Sequence, residues 1–118
     1  MDSLIIKWSN DVLEAIEEIE FFFENRPKRF NDFTKDRVLK KAILMNILII
    51  GEAVNRILKV KPDIEITSAR KIVNTRNYVI HGYDSLQDDI IWSIVIKHLP
   101  ILKQDVVKLL DSGRITNC

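Results

Sequence analysis

The chain has 118 residues, is 47% hydrophobic and carries a net charge of +1, which fits one domain whose core buries roughly two-thirds of the surface its unfolded chain exposes. Those figures exclude a disordered chain, and the longest apolar run, around Ile47–Ile50, is broken by Asn46, Gly51 and Glu52, which excludes a membrane span. The lone cysteine, Cys118, excludes an intramolecular disulfide, and Met1-Asp2-Ser3 lacks the basic region of a signal peptide, so a cytoplasmic protein is expected.

The small net charge hides a segregation. Residues 26–76 hold 13 Lys/Arg against 5 Asp/Glu, while the remainder holds 5 against 12. Such a field suits a polyanion on one side and a basic partner on the other, or simply marks solvated helix faces.

Residues 4–25 read as an amphipathic helix. Ile5, Trp8, Val12, Ile16, Ile19 and Phe23 step by three or four, and glutamates fill the other side. Phe21 and Phe22 widen its apolar face toward a second contact. Asn25-Arg26-Pro27 ends it, because proline offers no N–H and disfavours helix in the residue before it. After a connector, Thr34 is the expected N-cap of a long helix reaching about Val60. Val38, Ala42, Ile43, Met45, Leu48, Ile49, Ala53, Ile57 and Leu58 predict that it is central and buried. Gly51 inside it costs about 1 kcal/mol relative to alanine, a cost explained by close approach of another backbone. Glu52, the one acid in its middle, needs a cationic partner if buried, with the Arg76 segment the natural source; on a wet face it needs none.

Lys61-Pro62-Asp63 breaks that helix. Thr67 or Ser68 can cap a shorter one running from Ala69 to about His81, with Gly82 as its stop. Residues 84–89 read as a turn, with Asp88 and Asp89 in the first turn of a last helix that Pro100 should kink. His98, Trp8 and Trp92 read as structural. The expectation is an all-α fold: an up-down four-helix bundle, with one extra short helix allowed, over residues 1–112, followed by a frayed tail at 113–118.

The stretch Thr75–Tyr83 carries most of the polar chemistry. Arginine fits a phosphate or the phosphorane formed from it, and histidine can take a proton from a 2′-hydroxyl or give one to a 5′-oxygen. Arg76 and His81 together suffice for RNA transesterification without a metal, and no acidic cluster accompanies them as a two-metal nuclease would require. Asn77 can hydrogen-bond the histidine or a sugar, and Tyr78 or Tyr83 can stack on a base. Five helical steps, however, set Arg76 and His81 about 140° apart. The site therefore needs a distorted helix end or a second copy of the chain, which would bring two arginines and two histidines to one cleft. The plainer reading pairs Arg76 with Glu52 and leaves His81 on the helix dipole.

Beyond Arg76-x4-His81, the order Ile50-Gly51-Glu52-Ala53, Pro62-Asp63-Ile64, Arg76-Asn77-x3-His81-x-Tyr83, Ile91-Trp92 and Leu99-Pro100-x-Leu102 resembles the HepT-like family of small HEPN-domain proteins, over roughly residues 35–110. The resemblance implies a HEPN bundle that forms a homodimer, with Arg76 and His81 as the catalytic pair of a metal-independent ribonuclease at the dimer cleft and Asn77 and Glu52 in support. It implies no cofactor and no metal. It further implies a toxin acting on RNA, neutralised by an MNT-type nucleotidyltransferase antitoxin that attaches AMP to Tyr83. The alternative within the same family is a non-catalytic HEPN module that binds such a nucleotidyltransferase, or a nucleotide. Departures flank the motif: Glu65-Ile66-Thr67, Asn74-Thr75 and Asp84 stand where many relatives carry other residues.

Overall fold

The computed structural model describes residues 3–82 and 88–116, with side chains over 3–80 and 88–112. Every regular element among them is helical: α1 (Ser3–Phe22), α2 (Phe30–Lys35), α3 (Arg37–Val60), α4 (Ala69–Gly82), α5 (Asp88–Ser93) and α6 (Leu99–Thr116), with a π-helical turn at Ile94–His98 joining the last two. Four long stretches, α1, α3, α4 and the continuous α5–π–α6 run, make the all-α bundle. α2 is the extra short helix.

α3 is the centre. It packs against α1 on one side and α4 on the other, and α1 packs in turn against α6. Leu39, Ile43, Ile47, Ile50, Val54 and Ile57, at intervals of three or four, are all buried and form the seam between them. Phe33, fully buried, ties α2 to the end of α5 through Trp92, whose ring centroid lies 5.2 Å away. Phe23 meets the same Trp92 edge-on at 5.9 Å.

Two expectations are corrected. The N-cap of α3 is Asp36 rather than Thr34: its carboxylate accepts the Leu39 N–H at 3.0 Å, while Thr34 donates to Asn31 O inside α2. That capping bond, followed by the Arg26 ion pair at 3.0 Å, lowers the Asp36 pKa below the ordinary carboxylate value. α3 is buried on one face only. Val38, Met45 and Ile49 are 80%, 58% and 44% exposed, because their register puts them about 180° from the Ile47 seam. Just before Pro100 the helix carries a π turn. Leu99 N–H donates to Ile94 O, five residues back, and this wider turn relieves the clash of the proline ring with the carbonyl of Ile96 that a regular helix would impose.

No helix among the described residues is long and apolar enough to cross a membrane.

Candidate functional site

Where α3 crosses α4, Gly51 and Arg76 meet. A Cβ built on Gly51 would overlap Arg76 Cβ, lie 2.7 Å from its Cγ and stand 3.4 Å from Ile72 O. The close approach expected of Gly51 is thus real, but what fills the space is mainly the stem of the Arg76 side chain. The glycine lets an arginine rise from the packed side of α4 along the surface of α3.

At the end of that stem the guanidinium is held on two sides. Arg76 Nη2 donates to Glu52 Oε2, and Arg76 Nη1 donates to Asn77 Oδ1 at 2.6 Å. Glu52 takes a second cation through its other oxygen, from Arg56 Nε at 3.1 Å, one helical turn away. Of the two readings of Glu52, the ion pair with the Arg76 segment holds, although its side chain remains 37% exposed. One carboxylate facing two guanidiniums leaves a local excess of positive charge, suited to an anion.

Asn77 is tied to Arg76; the His81 side chain lies outside the described residues. Asn77 draws the guanidinium round α4 toward the register of His81, which follows Asn77 by four residues, about 40° further on. The backbone of His81 belongs to α4, so the angle of about 140° between the Arg76 and His81 positions stands in the regular helix. Tyr83 lies outside the described residues, as does most of the expected 84–89 turn; Asp88 and Asp89 open α5 as expected.

One pair went unread in the sequence. His98 has polar company after all: its Nδ1 lies 3.2 Å from Ser68 Oγ, across the junction of α4 with the π turn. Burial, followed by the charges of Lys71 and Lys97, lowers its pKa below the ordinary histidine value. Among the described residues no group of three or more His, Cys, Asp or Glu side chains is arranged to hold a metal ion.

The fold and this crossing define a small all-helical protein with an arginine-centred, anion-suited site. The match to "Ribonuclease HepT-like" spans residues 12–109, and the chain belongs to this HepT-like family. It is 33% identical over 101 residues to a "Putative RNase" of Caldanaerobacter subterraneus subsp. tengcongensis, covering 84% of this chain and 90% of that one. It is also 33% identical over 103 residues to a "Probable ribonuclease HepT" of Thermococcus cleftensis, covering 84% and 89%. No solved structure matches the chain.

Proposed function

We propose that the chain is a metal-independent endoribonuclease of the cytoplasm, the toxin of a toxin–antitoxin pair, which cuts RNA with Arg76 and His81 at the cleft of a homodimer. The observation that carries this reading is the setting of Arg76: an arginine seated over Gly51, held by Glu52 and turned by Asn77 toward the register of His81. The family, whose relatives are named as RNases, supports RNA as the substrate.

In the reaction the 2′-oxygen bonds to the adjacent phosphorus and the P–O5′ bond breaks. The imidazole takes the 2′-hydroxyl proton and passes it to the departing 5′-oxygen, and the guanidinium neutralises the phosphorane between them. The products are a 2′,3′-cyclic phosphate and a 5′-hydroxyl. A two-fold dimer sets the Arg76 of each copy beside the His81 of the other, so one cleft holds two such pairs.

The exposed face of α3 supports a second copy. Val38, Met45 and Ile49 form an apolar stripe that runs into Glu52 and Arg56, beside the site itself, and Phe21 at 68% exposure extends it across α1. This face is where a partner chain would gain most.

Silencing follows from the same chemistry. A nucleotidyltransferase partner that joins the Tyr83 phenol oxygen to the α-phosphate of ATP, releasing pyrophosphate, leaves a phosphodiester two residues from His81 in sequence. Its charge and bulk would compete for the Arg76 guanidinium and repel RNA. The test is cleavage of RNA by the purified chain in EDTA, with the new ends analysed. Cyclic phosphate ends are expected; cutting that stops in EDTA, or leaves 3′-hydroxyl ends, would overturn the proposal.

A further inference from the structure

The outward face of α4 carries side chains without partners. Arg70, Lys71, Asn74 and Tyr78 are exposed and make no hydrogen bond or ion pair among the described residues. In register they lie on the same side of the helix as Asn77 and His81. Some cations of the bundle do have a carboxylate, as Lys40 has Asp88 and Lys103 has Glu20; Arg70 and Lys71 have none among the described residues.

At the Arg70 end of this face lies a cleft of about 520 Å³. Leu58, Ile64 and Ile66, all buried, give it an apolar floor; Arg70 and Lys71 stand at its rim, and the Ser68–His98 pair is in its wall. No carboxylate among the described residues lines it. An apolar floor with cations at the mouth and no acid is the chemistry of a nucleotide: a flat base below and a phosphate above.

We propose that this cleft holds one nucleotide of the RNA strand being cut, with its phosphate on Arg70 and Lys71 and its base against Leu58, Ile64 and Ile66. The proposal rests on the ribonuclease reading and extends it from the point of cutting to the path of the strand. Along α4 the register of Arg70 is about 16 Å from that of His81, at about 1.5 Å per residue. A stacked strand rising about 3.4 Å per nucleotide covers that with about five nucleotides, and an extended one with fewer. Asn74 and Tyr78 lie between, one offering hydrogen bonds and the other a ring for stacking.

The experiment compares a 12-nucleotide RNA with a dinucleoside monophosphate as substrates. The proteins are the native chain, the double variant Arg70→Ala/Lys71→Ala and a control, Arg29→Ala/Lys35→Ala, whose exposed cations sit at α2. For Arg70→Ala/Lys71→Ala the KM for the 12-mer should rise about tenfold with kcat unchanged, and the salt slope of binding should fall by about 0.7, the value for one phosphate contact on a single strand. Cleavage of the dinucleotide should not change. A 12-mer KM and salt slope equal to those of the native chain, or an equal loss from the control, would overturn the proposal. If the native chain cuts neither substrate, the ribonuclease reading has failed, and the 12-mer affinity of the same proteins decides the cleft with the same two outcomes.

Discussion

Gly51 and Arg76 are packed so closely that a single added methyl group would overlap the arginine stem. Gly51→Ala therefore sets two effects against each other. Helix propensity favours alanine by about 1 kcal/mol, while overpacking costs about 1–3 kcal/mol. The overlap involves Cβ and Cγ, the least mobile part of the side chain, so the cost wins. The variant should lose up to about 2 kcal/mol in urea unfolding and cut RNA at least about tenfold more slowly, because the guanidinium moves with its stem. A more stable variant with the native rate would show that Arg76 is not positioned by this contact.

Glu52 and Arg56 can be separated by mutation. Glu52→Gln keeps the shape but removes the charge that holds Arg76, so RNA cutting should drop about tenfold. Stability should change by less than about 1 kcal/mol, since both partners are partly in water. Arg56→Ala removes only the outer cation and should stay within about twofold of the native rate. Equal losses from the two variants would mean that Glu52 acts through the network as a whole rather than on Arg76.

Much of this architecture was legible in the sequence, and the misses share a cause. The bundle, the end of α3 at Lys61-Pro62 and the extent of α4 follow from periodicity and breakers, which act locally. The Glu52–Arg76 pair was readable because an isolated acid in an apolar helix calls for a partner. The exposure of Val38, Met45 and Ile49 was not, because an apolar residue on a helix does not say whether its neighbour is the same chain. Asp36 beat Thr34 as N-cap because α2 occupies residues 30–35, and six residues of helix leave too weak a pattern to read. The Ser68–His98 contact joins residues 30 apart, and only the tertiary fold brings them together.

The aromatic joint at α2 should matter for stability and little for chemistry. Phe33 is fully buried against Trp92 and Phe30. Phe33→Ala should cost about 3–5 kcal/mol, read by denaturant unfolding. A loss below about 1 kcal/mol would mean that α2 closes over the vacancy.

His98 gives stability a pH dependence. Its folded pKa lies below the unfolded value of 6.5, so between the two the unfolded chain binds a proton that the folded chain does not. Stability from this source is complete above the unfolded value and is lost as pH falls from there through the folded pKa. The thermal midpoint should therefore decline on acidification from about pH 7, and His98→Asn should flatten that decline. An unaltered slope in the variant would place the titration elsewhere.

The central claim is that each chain carries half of a cutting site, with Arg76 from one copy working beside His81 of another. RNA cleavage in EDTA by Arg76→Ala, by His81→Ala and by the two variants co-expressed as mixed dimers tests it most directly. Each variant alone, folded as judged by circular dichroism, should fall at least about 100-fold. The co-expressed pair should recover about a quarter of the native rate, since half of randomly paired dimers are mixed and each mixed dimer rebuilds one complete site. Undiminished cutting by the single variants, or no recovery in the mixture, would contradict the account.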